Sequence, residues 1–307
     1  MNIFLRKISL FFLSAVFFVL SFHYLIYSAL LSNEDYFKIE NGMSTVVLGD
    51  SHTETSIRDD ATLGLKNLSF RGESVFLTYY KLRRLIEVNQ QIENVVLAFS
   101  FYTLNEFRDE QLNRTFKDYF WLLDAEGLQH LNYTARNAIL MLREADSQLF
   151  KWGVSNVKET IYFLLTGGYR KMDVSNVSEE TSQERLWGHY FKKDKKNLQD
   201  QSVLQKAYLE KIVLLCEKNN IKITFINTPL HKTYSSNIPK NYLSDYYADV
   251  DNYIARYPGL VSHLDFMNSI VQDTYFHDGD HLNSTGSVVF TEILHKRLLE
   301  LNIIKDS

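Results

Sequence analysis

The chain has 307 residues, 45% of them apolar and 23% charged, with a formal net charge of −4. That is enough for one large globular domain with an appendage, and the mild acidity excludes the basic footprint of a nucleic-acid binder. Cys216 is the single cysteine, which excludes an internal disulfide and argues against a zinc–cysteine site, while only 3 prolines and 12 glycines argue against long disordered linkers.

In chain order, Arg6 and Lys7 precede an uncharged run over residues 8–31. As a helix this run measures about 36 Å, enough to cross a bilayer. The best small-x-small site, Tyr27-Ser28-Ala29, carries a bulky Tyr where a signal peptidase needs a small residue. Residues 1–32 are therefore expected to be an uncleaved transmembrane anchor. Basic residues before the run and Glu34 and Asp35 after it place residues 33–307 in the periplasm or cell exterior by the positive-inside rule.

Beyond the anchor, short buried strands are predicted at 45–48, 66–70, 94–99, 221–226 and 260–266. Helical spacing follows Gly72 and recurs at about 202–219, 243–257 and 284–301, the last with Ser284 as its N-cap. The alternation predicts an α/β protein with a parallel five-stranded sheet covered on both faces. Residues 107–201 break it and read as a helical insertion, dividing the domain core into about 44–106 and 202–302. Within the insertion, 131–153 and 157–165 look helical, 171–185 reads as an exposed loop, and 192–197 as a solvated charge run.

In an open parallel sheet, ligands bind beyond the carboxyl ends of the strands. The first strand runs into Gly49-Asp50-Ser51-His52; Gly72 follows the second, Asn105 the third and His231 the fourth. Near the C-terminus, "YFHDGDHLNSTG" puts Asp278 and His281 three positions apart before the final helix. A serine hydroxyl becomes a nucleophile when an imidazole takes its proton and a carboxylate orients the imidazole. This pattern assigns those roles to Ser51, His281 and Asp278. Asp50 is expected to brace its turn, His52 and His231 are candidate substrate contacts, and His277 and Asp280 read as loop residues.

Gly49-Asp50-Ser51 after the first strand, Gly72 after the second and Asp278-x-x-His281 before the last helix resemble the SGNH/GDSL hydrolase superfamily. His52 and the "DGDHLNSTG" ending resemble its membrane-attached, extracytoplasmic branches, including the SGNH domains of polysaccharide O-acetyltransferases. The resemblance covers roughly 44–105 and 220–302. It implies a three-layer α/β/α, flavodoxin-like SGNH fold and a Ser51–His281–Asp278 triad. It also implies an oxyanion hole from the N–H groups of Ser51 and Gly72, and no cofactor. The implied partners are an acylated glycan or acyl donor and, for a transferase, a membrane acyl-donor protein. The third motif departs from the pattern: where the family has Gly-x-Asn-Asp, this chain reads "AFSFYTLNE". Asn105 or Ser100 substitutes there, or the third oxyanion donor is missing.

Two rival readings stand beside this one. A non-catalytic, membrane-tethered binding or assembly protein could use the same fold. A metal-dependent phosphoesterase is suggested by Asp50-x-His52 and "HDGDH", but the Gly-Asn-His and Gly-His-x-His elements that such a site needs are missing from the sequence.

Overall fold

A run of buried β-branched and aliphatic residues bounded by turn residues favours a central strand. Three such runs, flanked by two strands of mixed polarity, form one sheet in the computed structural model, which describes residues 2–31, 37–58, 64–115, 122–130 and 177–304. In chain order the elements are α1 (Asn2–Leu31), β1 (Thr45–Leu48), α2 (Ser51–Ser56), β2 (Leu65–Asn67), α3 (Val75–Val88) and β3 (Asn94–Ala98). After these come α4 (Phe107–Thr115), α5 (Ala125–Gln129), α6 (Glu179–Tyr190), α7 (Val203–Lys218), β4 (Lys222–Ile226) and α8 (Lys232–Ser235). The chain closes with α9 (Lys240–Arg256), β5 (Val261–Leu264) and α10 (Ser284–Glu300). The five strands lie where the sequence predicts them: β1 matches at both ends, and the other four are shortened or shifted by a few residues.

The strand order is β2-β1-β3-β4-β5, and every pairing is parallel. Successive side chains on a strand face opposite sides. Val46, Leu48, Val95, Leu97, Ile223 and Phe225 therefore join one buried cluster with Phe76 and Tyr80 of α3, Ile212 of α7 and Tyr246 of α9. Val47, Val96 and Ile226 join a second cluster with Phe290, Leu294 and Leu298 of α10. The result is a three-layer α/β/α arrangement. Each fully buried aliphatic or aromatic side chain of this kind contributes about 1.5–3 kcal/mol of hydrophobic stabilisation.

The chain reverses direction in sheet order after β2, so the carboxyl ends of β1 and β3 flank the point where crossovers leave to either side. There the loop after β2 keeps pairing with the end of β1: Leu68 N–H donates to Val47 O and Phe70 N–H to Gly49 O, both at 2.9 Å. Gly49 itself cannot carry a side chain, because a Cβ there would stand 2.2 Å from Ala98 Cβ and 2.6 Å from Thr53 Oγ1. The insertion closes at its base through an antiparallel bridge between Asn105 and Gln201. Glu106 N–H donates to Asp200 O at 3.0 Å and Ser202 N–H to Leu104 O at 2.7 Å on either side of it.

Two expectations are corrected. Residues 179–185, read as part of a loop, are helical: Ser178 caps α6 in a reciprocal box with Thr181, and Glu179 and Glu180 complement the positive helix start. The N-cap of α10 is Asn283, whose side chain accepts from Thr285 N and Gly286 N, and Ser284 is the first helical residue. No helix among the described residues is long and apolar enough to cross a membrane. The expected span 8–31 falls on α1, but the side chains of residues 22–31 lie outside the described residues, as do the predicted helices at 131–153 and 157–165.

Candidate active site

The first strand ends in a tight turn. Asp50 caps α2, accepting from His52 N–H at 3.0 Å, and this sets Ser51 at the first helical position. The final loop reaches the same edge from the other direction. Asp278 Oδ1 accepts from the backbone N–H of Asp280 at 3.0 Å and of His281 at 2.8 Å, curling the loop so that the His281 ring turns toward Ser51.

His281 Nε2 lies 3.0 Å from Ser51 Oγ, and His281 Nδ1 lies 3.0 and 3.1 Å from the two oxygens of Asp278. The structure thus brings together the three residues to which the sequence assigns a relay, although 230 positions separate the serine from the histidine. Hydroxyl, imidazole and carboxylate stand in the order that lets a base take the hydroxyl proton while its other nitrogen is steadied. Ser51 remains half-buried, open to an incoming group, while His281 is buried.

Gly72 lies in the turn after β2 with φ of +70°, in the left-handed region that favours glycine. The pairing of Phe70 with Gly49 carries this turn alongside Ser51. Among the described residues neither the Ser51 N–H nor the Gly72 N–H has a hydrogen-bond acceptor, which leaves both able to face a developing oxyanion. The next residue is anchored: Glu73 pairs with Lys81, both fully buried, and Lys81 Nζ also donates to Leu68 O at 2.6 Å. Asn105 does not fit the part of a third donor. It is buried, and its amide donates to His189 O at 2.8 Å, holding α6 against the base of the insertion.

His52 and His231, the candidate substrate contacts, both hold partners within the fold. His52 is buried, with Nδ1 3.0 Å from Asp50 Oδ1, Nε2 2.9 Å from Asp280 Oδ2, and the Tyr102 hydroxyl against its edge. His231 is buried as well; it caps α8 and lies 3.0 Å from Asp273 Oδ1, tying two loops together.

The residue that sequence reasoning most undervalued is Asp280. It is completely buried and takes two hydrogen bonds from Arg185 on α6, at 2.7 and 2.8 Å. It also stands 3.5 Å from His281 Nδ1 and 3.6 Å from His189 Nδ1. Asp50 is paired with Arg108 of α4 in the same way. Two buried carboxylates, each matched by an arginine from the insertion, meet at His52.

These charges set the protonation of the site. Burial alone would raise the Asp280 carboxyl, but Arg185, His281 and His52 hold it well below the usual carboxylate range. Asp50 is likewise lifted by burial and lowered further by His52 and Arg108. His281 is disfavoured as a cation by burial, yet Asp280 and Asp278 push it up to about 9. Burial holds His189 well below its ordinary value, against the pull of Asp280.

His52, Asp280 and His281 offer nitrogen and oxygen atoms within 4.8 Å of one another, as metal ligands would. Their donor chemistry does not suit a cation. Both Asp280 oxygens already face the Arg185 guanidinium, which stands 3.4 Å from His281 Nδ1, and the other His281 nitrogen faces Ser51. A metal ion there would lie against a fixed positive charge.

No family model matches the sequence, and no curated protein matches it. Among solved structures, a candidate acylhydrolase from Bacteroides fragilis overlaps 86% of this chain and 89% of its own at 13% identity and a TM-score of 0.42. A GDSL-like lipase from Bacteroides thetaiotaomicron overlaps 90% and 98% at 12% identity, also with a TM-score of 0.42. A chain described as a candidate platelet activating factor from Streptococcus pneumonia overlaps 91% and 98% at 12% identity and the same TM-score.

Proposed function

We propose that this chain is a serine acyl-ester hydrolase or O-acyltransferase of the SGNH/GDSL type. The observation that carries the reading is the continuous contact from Ser51 Oγ through His281 to Asp278, at 3.0 Å on either side of the imidazole. In the acylation step Ser51 Oγ attacks an acyl carbonyl carbon as His281 Nε2 accepts the hydroxyl proton. The N–H groups of Ser51 and Gly72 stabilise the negative oxygen; loss of one such donor costs about 10²–10³ in rate in well-characterised cases. The tetrahedral species collapses to an acyl-serine, and His281 gives its proton to the departing alkoxide. Water or a sugar hydroxyl then attacks the acyl-serine with His281 again as base. Attack by water makes an esterase, attack by a sugar an acyltransferase, and the same residues serve both.

We take the acyl group to be acetyl and the acceptor or ester to belong to a cell-surface or exported glycan, with a membrane acyl-donor protein as the partner of a transferase. Support for this comes from the sequence resemblance alone. The domain is proposed to be tethered through α1. Exposed Leu10, Phe11, Phe12, Leu13, Val16, Phe17, Phe18 and Leu20 on that helix support attachment to lipid, with Arg6 and Lys7 toward the cytoplasm.

The deciding experiment exposes the full chain in detergent to p-nitrophenyl acetate, with and without sugar oligomers, and maps acetylated residues by mass spectrometry. Acetylation of Ser51 that is lost in Ser51→Ala is expected, and faster discharge to sugar than to water identifies a transferase. Equal turnover by the wild type and Ser51→Ala would refute the reading.

A further inference from the structure

The imidazole of a serine hydrolase needs one carboxylate at its far nitrogen. Here His281 Nδ1 faces two: Asp278 at 3.0 Å and Asp280 at 3.5 Å. The second is fully buried, and it comes with its own counter-charge from a distant part of the chain. Arg185 of α6 grips Asp280 through Nε and Nη2, and its Nη2 reaches to 3.4 Å from His281 Nδ1.

Resting on the triad reading above, we propose that Asp280 and Arg185 are paired positioning residues for the base. Asp280 strengthens the hold of His281 on its proton, and Arg185 limits that hold by matching the Asp280 charge.

The geometry separates this pair from a purely structural salt bridge. An Arg–Asp pair that only joined α6 to the final loop would have no reason to include the far nitrogen of the base, Nδ1, within its span. Here the carboxylate and the guanidinium both lie within 3.5 Å of it, on the side opposite Ser51. In a low-dielectric surrounding, charges at that distance act strongly on a protonation equilibrium. The other polar and charged groups facing this cluster are Asp278 from the same loop and His52 from α2, stacked on the His281 ring. His189 and Tyr190 from α6, Tyr102 from the loop after β3 and Tyr234 from α8 also face it among the described residues. His52 and His189 both approach Asp280, but among the described residues Arg185 alone carries a permanent positive charge onto it. The Arg185 side chain is 34% exposed, so it can be replaced with less disturbance than the buried carboxylate.

The inference assigns opposite effects to the two partners. Without Arg185 the Asp280 charge acts on His281 unopposed, so the base keeps its proton to higher pH. Without the Asp280 carboxylate the hold weakens, and the base is freed at lower pH. A merely structural pair would lower activity at every pH and leave the midpoint in place.

The test is the pH dependence of kcat/KM for p-nitrophenyl acetate with the full chain in wild type, Arg185→Ala, Arg185→Lys and Asp280→Asn. In parallel, the His281 ring is titrated by NMR, assigned by comparison with His281→Gln. For Arg185→Ala the expected result is an acid limb moved up by about one pH unit. That corresponds to about a tenfold loss near pH 7 that shrinks as the pH rises. Arg185→Lys should lie near wild type, and Asp280→Asn should move the limb the other way. The NMR midpoint should move with each limb. An unmoved NMR midpoint in Arg185→Ala would overturn the inference, even where Asp280→Asn fails to fold. Failure of the triad reading is seen separately, as Ser51→Ala hydrolysing like wild type, and the NMR titration still decides the role of the pair in that case.

Discussion

The rings of His52 and His281 lie face to face, their centroids 4.4 Å apart and their planes 14° from parallel, with Asp280 at the edge of both. His52 is fixed in turn, one nitrogen on Asp50 and the other on Asp280. The His281 ring therefore has a wall rather than a solvent gap beside it. Turning its ring away from Ser51 requires displacing a histidine that is itself held at both nitrogens.

His52→Ala tests whether that wall is structural. It removes a buried partner from two carboxylates and leaves a void beside the base. A loss of about 2–4 kcal/mol in stability is expected. In turnover, kcat should fall while KM changes little, because His52 does not reach the substrate side. A raised KM with unchanged kcat, measured by steady-state kinetics on a folded variant, would return His52 to substrate contact.

Under the proposed mechanism, the proton on His281 sets the pH range of activity. Its pKa is pushed up to about 9 by Asp280 and Asp278 against the effect of burial, so the free base needed for attack is scarce at neutral pH. kcat/KM should rise about tenfold per pH unit below that value and level off above it. A stopped-time assay across pH 6–10 checks this, taking about 9 as the midpoint. A midpoint near 6.5, the ordinary histidine value, would contradict the double-carboxylate surround.

The same groups predict how stability varies with pH. Asp50 and Asp280 are held low in the folded state, so their contribution is present above the ordinary carboxylate range and is lost as the pH falls through their depressed values. His281 is raised, so its contribution is complete below its unfolded value and is lost as the pH rises through about 9. Urea midpoints should therefore be highest between these limits and decline on both sides. A midpoint that climbs steadily through pH 9 would contradict the sign for His281.

Gly49→Ala probes the turn that delivers Ser51. Its methyl group would collide with the Ala98 side chain at 2.2 Å, and Ala98 belongs to the neighbouring central strand. Overpacking of this kind costs about 1–3 kcal/mol, and relief requires β1 and β3 to move apart. Thermal unfolding should show the loss, and acetylation of Ser51 should fall by more than stability alone explains.

The sheet was readable because its central strands carry buried apolar stretches such as Val46–Leu48 and Val95–Leu97, and because turn residues bound them. Ser51, His281 and Asp278 were readable as an ordered pattern of residue types. Helix α6 was not, since its sequence, "EETSQERLWGHY", has little apolar periodicity and buries Ser182 and His189 alongside Leu186 and Tyr190. The Ser178–Thr181 capping signature with two acidic residues in the first turn was the available clue. Asp280 was hidden by its neighbours: in "HDGDH" one aspartate looks like another, and only the fold turns Asp278 to the ring and sinks Asp280 beneath it. Arg108 and Arg185 carry no local signal, because their partners are 58 and 95 positions away.

The bridge between Asn105 and Gln201 gives the insertion a clasp at its neck. A segment fastened there resembles an exchangeable cassette: the strands on either side keep their register whatever length of chain runs between. The cassette is nevertheless keyed to the domain core, because Arg108 and Arg185 both lie inside it and each fills a socket made by a core aspartate. A graft that kept the clasp but omitted those two arginines would restore the outline of the fold and leave the core with two buried, unmatched carboxylates.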